Sequence, residues 1–114
     1  MIRRGEIYWV DLNPVRGNET GKKRPALIIS NDYNNECAGT VTVLPITSQI
    51  GKIYPFEVFL KAGLCGLSSD SKVKANQIRT IDKSRLKKFI GFLHEARMPE
   101  VEEALRIHLG LHEH

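Results

Sequence analysis

Residues 18–30 read Asn18-Glu19-Thr20-Gly21-Lys22-Lys23-Arg24-Pro25-Ala26-Leu27-Ile28-Ile29-Ser30, a polar and basic loop that runs without a break into an apolar strand. The residue before a proline is pushed out of the α region into extended geometry, so Arg24 is expected to project its guanidinium from a fixed backbone. Pro25 donates no backbone hydrogen bond, which suits the first residue of a strand. The strand itself, residues 26–29, is apolar on both faces and therefore expected to be central. Two readings of the loop stay open from these residues alone: a hairpin tip solvated through Lys22, Lys23 and Arg24, or a charged tip on a rigid stem that grips a ligand.

Working outward, residues 7–12 form the preceding strand, with Tyr8 and Trp9 suited to a pleated surface and Asn13-Pro14 as its turn signal. The loop between the two strands is long for a hairpin, and long loops in compact domains tend to carry function. Asp32-Tyr33-Asn34-Asn35-Glu36 is rich in turn formers and is read as a surface crossing. The β-branched residues of 40–46 make a third strand, which ends in the polar Thr47-Ser48-Gln49. Residues 54–60 alternate as a half-buried strand does, residues 72–81 read as extended, 82–86 as a turn of helix and 88–93 as a last strand. The period then changes. Pro99 fits a first helical position, Glu100, Glu102 and Glu103 suit the first turn, and Val101, Ala104, Leu105 and His108 share a face. The expectation is one domain over residues 1–114, mainly β with short helices, built as a small barrel or sandwich and closed by an amphipathic helix.

At 114 residues the chain can bury an ordinary core and has no room for a second domain. Its 17 Lys and Arg against 13 Asp and Glu give a net charge of +4, which favours a polyanionic partner such as nucleic acid. Cys37 and Cys65 form no paired motif, so reduced thiols in an intracellular setting are the simpler inference. No apolar run is long enough for a signal peptide or a membrane span, and a soluble, cytoplasmic protein is expected.

The chemistry-bearing residues are few. All four histidines fall in the last strand, the terminal helix or the tail, and the His108/His112 pair lacks a third ligand at zinc spacing, so no metal and no cofactor are expected. Phosphate-binding and dinucleotide-binding glycine motifs and the hydrolase nucleophile elbow are absent. What remains is Arg24 at one strand start, Thr47 and Ser48 at another strand end, and Gln77 with Arg79 on a third. An arginine fork beside a hydroxyl makes a phosphate-binding pair, because the guanidinium offers two parallel donors and the hydroxyl a third. The alternative is a set of unrelated surface residues.

Four segments taken together resemble the MazF/PemK family of toxin endoribonucleases. They are residues 4–14 (RGEIYWVDLNP), 23–30 (KRPALIIS), 45–48 (PITS) and 77–82 (QIRTID), in order and at matching spacing. The resemblance implies an SH3-like barrel, a homodimer, metal-independent cleavage of single-stranded RNA, and a cognate antitoxin with an acidic flexible tail. Position by position, it puts the catalytic arginine on Arg24, the catalytic threonine on Thr47, and substrate-binding roles on Asn18, Glu19, Ser48 and Gln77. The chain departs from the pattern at Thr20, where many members have glutamine, and at Asn76, where an acidic residue often stands; both bear on base preference.

The reaction implied is attack of the RNA 2′-hydroxyl on the adjacent phosphorus, leaving a 2′,3′-cyclic phosphate and a 5′-hydroxyl. Arg24 suits stabilisation of the developing charge, and Thr47 suits holding the phosphate in line. The general base stays open between Arg24 and Glu19, since a guanidinium gives up its proton poorly. Arg16, Lys22, Lys23 and Lys72 are the expected phosphate contacts. Two other classes compete: a CcdB-like protein that grips DNA gyrase through its terminal helix, residues 101–111, and a non-catalytic homologue that binds RNA.

Overall fold

A computed structural model describes residues 1–111. Its strands are β1 (Glu6–Asp11), β2 (Lys23–Ile28), β3 (Thr40–Thr47), β4 (Glu57–Leu60), β5 (Ser71–Lys74), β6 (Arg79–Asp82) and β7 (Leu86–Phe92), with helices α1 (Asp32–Cys37) and α2 (Met98–Leu109). The sheet path is β4-β5-β3-β2-β1-β7, with β6 beside β3, and all pairings are antiparallel. β3 holds this together. Its first half, Thr40 to Val43, pairs with β6, its last residues, Ile46 and Thr47, pair with β5, and its other edge pairs with β2. One long strand shared in this way bends the sheet into a barrel-like form, left open where β4 and β7 end the path.

The double-sided burial expected of β2 is what the strand shows. Leu27 packs with Ile7, Leu44, Ile46 and Val73 in one core cluster, while its neighbours Ala26 and Ile28 pack with Val10, Val41, Val43 and Ile81 in another. α2 closes the first cluster with Met98, Val101 and Ala104. The apolar stripe of the terminal helix is thus spent on the core, and His108, expected on that stripe, is exposed. Gly110 follows in the left-handed conformation (φ 69°), where the N–H of Leu111 reaches the Arg106 carbonyl at 2.9 Å and ends the helix.

Three local readings are corrected. Residues 32–37 are a helix and not an irregular crossing: Asn31 Oδ1 accepts from the Asn34 N–H at 2.8 Å, and the residues that favour turns are also the best helix caps. Extended chain does not run through 72–81, because Ala75–Gln77 forms a 3-10 turn where the chain leaves β5 and crosses to the far half of β3 as β6. β2 starts earlier than residue 26, as Lys23 and Arg24 pair with Asp11 and Val10 of β1; Pro25 sits opposite Trp9, just before pairing with β3 begins at Ala26. Cys37 and Cys65 are free thiols. No described helix is long and apolar enough to cross a membrane.

Candidate active site

The loop between β1 and β2 is held by its own polar groups. The Lys22 carbonyl accepts from the Leu12 N–H at 2.9 Å, and the Lys22 N–H donates to Asn13 Oδ1 at 2.9 Å. Pinned from both sides, Lys22 adopts a left-handed backbone (φ 66°), a conformation that costs a non-glycine residue roughly 1–3 kcal/mol. Gly21 is required beside it, since a Cβ there would stand 2.5 Å from Val15 Cγ2 and 2.9 Å from Asn13 Oδ1. At the tip, the Arg16 N–H donates to Glu19 Oε1 and the Glu19 N–H to the Arg16 carbonyl at 3.0 Å.

Two further side chains tie this loop to the sheet. The Thr20 N–H donates to Gln77 Oε1 at 3.2 Å, and Lys74 Nζ donates to Thr20 Oγ1 at 3.2 Å. Between the loop and the strand ends lies a cleft of about 410 Å³, lined by Asn13, Val15, Gly17, Asn18, Glu19, Thr20, Gly21, Lys22, Arg24, Thr47, Gln49 and Lys74. Arg24, half-buried at the start of β2, donates through Nε to the Gly21 carbonyl at 2.9 Å. That bond orients the guanidinium plane and leaves its terminal nitrogens for a ligand. Thr47 is buried at the end of β3, and its Oγ1 accepts from the Gln49 N–H at 3.1 Å, so the hydroxyl hydrogen is turned away from that contact and can donate. The sheet therefore presents a planar cation and a hydroxyl in one cleft, donors of the kind that suit phosphate oxygens.

Of the residues singled out from the sequence, Arg24, Thr47, Asn18 and Glu19 meet in the cleft, and Gln77 borders it through Thr20. Ser48 is exposed and does not line it. Arg79 is engaged elsewhere, its Nη1 donating to the Leu12 carbonyl at 2.8 Å. Lys72 is corrected as a phosphate contact: its ammonium is buried, 2.9 Å from Glu57 Oε1. Lys74, two residues on, lines the cleft in its place, beside Lys22 and Arg24. Asn13, Gln49 and Lys74 were not anticipated, and the alternation of Lys72 and Lys74 along one strand was the available signal for the last. Among the described residues no three His, Cys, Asp or Glu side chains gather to hold a metal, and His112 of the His108/His112 pair lies outside them.

Comparison with known proteins points one way. The family described as PemK-like, MazF-like toxin of type II toxin-antitoxin system matches residues 3–109. Endoribonuclease MazF9 of Mycobacterium tuberculosis is 47% identical over 116 residues, covering 97% of this chain and 98% of its own. Endoribonuclease MazF of Staphylococcus epidermidis is 47% identical over 112 residues, covering 97% and 93%. Among solved structures, MazF from Deinococcus radiodurans superposes with a TM-score of 0.83 at 33% identity, covering 96% of this chain and 97% of that one. A mycobacterial endoribonuclease in complex with its cognate antitoxin also gives 0.83, at 26% identity and full coverage of both chains.

Proposed function

The chain belongs to the PemK-like, MazF-like toxins of type II toxin-antitoxin systems, and from that premise we propose that the cleft between the β1–β2 loop and the end of β3 is where it cuts RNA. It is an endoribonuclease of that family, matched over nearly its whole length. The observation that supports the site is the pairing of Arg24 and Thr47 in one cleft, each held by a backbone partner.

In the proposed reaction the 2′-hydroxyl oxygen of single-stranded RNA attacks the neighbouring phosphorus and loses its proton. The bond from phosphorus to the 5′-oxygen breaks, and that oxygen takes a proton to leave as a 5′-hydroxyl. A 2′,3′-cyclic phosphate remains. Arg24 faces the non-bridging oxygens with its free terminal nitrogens and meets the charge that develops there. Thr47 donates a second hydrogen bond and keeps attacking and leaving oxygens in line. Glu19, whose Oε1 accepts from the Arg16 N–H, leaves Oε2 as the carboxylate oxygen able to take the 2′-proton. Asn18 and Gln77 hold the strand through their amides, and Ser48 contacts the nucleotide that leaves the cleft. Lys74, Lys22 and Arg16 neutralise flanking phosphates, so affinity falls with salt at a slope of about −0.7 per contact.

The same reading covers the partners. A cognate antitoxin with an acidic tail would occupy the cationic cleft and compete with RNA. A homodimer finds support in the exposed apolar residues Phe89, Phe92 and Leu64 on and beside β7. The setting is the cytoplasm, where the RNA is. The test is incubation of the purified protein with long single-stranded RNA in excess EDTA, beside Arg24→Ala and Thr47→Ala, with the fragment ends mapped. Discrete cuts ending in cyclic phosphate, weakened in both variants, are expected; RNA left intact by the native chain would overturn the reading.

A further inference from the structure

The cleft that holds the phosphate contains no aromatic ring, yet single-stranded nucleic acid is commonly held by stacking its bases on aromatic side chains. An exposed aromatic surface lies on the segment just before β4. There Tyr54 and Phe56 are stacked, ring centroids 5.3 Å apart and planes 2° from parallel, with Lys52 Nζ 5.1 Å from the centre of the Tyr54 ring. Tyr54 is 43% exposed.

This segment is held against the cleft by an ion pair that is costly to bury. Glu57 and Lys72 side chains are 4% and 9% exposed and meet at 2.9 Å. Lys72 Nζ also donates to the Lys52 carbonyl at 3.0 Å, and Glu57 Oε1 accepts from the Tyr54 N–H at 3.0 Å. Both ends of residues 52–57 are therefore clamped to β5. A buried pair adds little net stability over apolar residues of the same size, so it is better understood as fixing one geometry. The geometry fixed is adjacent to the site: Lys72 pairs in register with Thr47, and Lys74, which lines the cleft, pairs with Glu57. The Ala75 N–H completes the attachment through the Phe56 carbonyl at 3.1 Å.

We propose that Tyr54, backed by Phe56 and flanked by Lys52, is a subsite for one unpaired RNA base beside the cut. It rests on the endoribonuclease reading and adds to it a base-stacking position outside the phosphate cleft. The two rings are already parallel, so little freedom is lost when a base joins the stack, and every base has the π-face needed. The Lys52 ammonium lies over the Tyr54 ring, so a base that joins the stack displaces it toward the phosphate of its own nucleotide, with which it can pair. The subsite adds affinity without demanding a particular base.

The experiment uses a synthetic RNA centred on a mapped cut and the same RNA trimmed on each side in turn. Binding is read with a 2′-deoxy sugar at the cut, and cleavage with the unmodified strand. The native chain is expected to bind the full RNA about ten-fold more tightly than the strand trimmed on one side, a gap that Tyr54→Ala abolishes and Tyr54→Phe keeps. A base analogue whose fluorescence is quenched by stacking, placed at the trimmed position, should brighten in Tyr54→Ala. If Tyr54→Ala keeps the full gap and the quenching, the subsite is wrong. If the native chain binds long single-stranded RNA but leaves it uncut, so that no site can be mapped, it is the ribonuclease reading that fails.

Discussion

Two cavities of the same size, each about 410 Å³, lie on this small protein and are built in opposite ways. One is the cleft of Arg24 and Thr47, walled by a loop whose shape depends on N–H groups donated to Asn13 and Gln77 and on a hydrogen bond from Lys74. The other lies between residues 64–66 and β7 and is lined mainly by Leu64, Cys65, Ile90, Phe92 and Leu93 with His94 and Arg97 at its rim. Its wall is a backbone contact: a Cβ on Gly91 would stand 2.3 Å from the Cys65 carbonyl oxygen, and one on Gly66 would stand 2.4 Å from that of Ile90. Volume does not tell the two apart. Chemistry does, because the first converges donors that a phosphate needs, while the second offers an apolar surface and a thiol that burial pushes up from its ordinary pKa. Substitutions in the cleft should therefore change rate, and substitutions in the apolar cavity should change stability.

The largest effect expected is on Arg24. Arg24→Ala should lower kcat by on the order of 10²–10³, equivalent to about 2.7–4 kcal/mol, with the unfolding midpoint little changed. Arg24→Lys sharpens the point, since it keeps the cation and loses the planar fork; activity near the native level would show that the fork is not needed. Next comes Gly91→Ala. Its Cβ meets backbone that cannot swing aside, so urea unfolding should show a loss of about 1–3 kcal/mol while the rate per folded molecule holds. Gln77→Ala should cost about 1 kcal/mol, read as a rise in KM, because the Thr20 N–H loses its partner and the loop loosens over bound RNA. The smallest effect concerns Cys65. With its pKa raised by burial, less thiolate is present at pH 8, and it should be alkylated more slowly than the exposed Cys37, catching up as pH rises.

How much of this was legible in the sequence differs between the two regions. The central strand β2 was, because an uninterrupted apolar run needs cover on both faces, and Leu27 against Ala26 and Ile28 provides the two cores. The convergence of Arg24 with Thr47 was legible too, as both stand at strand ends. Lys72 was misread for a physical reason: alternation tells which face of β5 a side chain takes, but not that Glu57 of β4 covers that face. Lys74 and Asn13 join the cleft through contacts with a loop distant in sequence or across its width, which no local pattern reports. α1 was hidden because Asn31 and Asp32 serve a cap as readily as a turn. The apolar cavity left almost no trace, since a close backbone approach at Gly66 and Gly91 is a property of the fold.

The claim that ties these regions together is that RNA occupies the polar cleft and not the apolar one. Amide chemical shifts of the labelled protein, followed as RNA with a 2′-deoxy sugar at the cut is added, test it directly. Movements are expected to concentrate in residues 13–24, at Thr47 and Gln49, and at Lys74 and Gln77, with residues 64–66 and 90–93 still. Shifts centred on Cys65 and Phe92, with Arg24 and Thr47 unmoved, would contradict it.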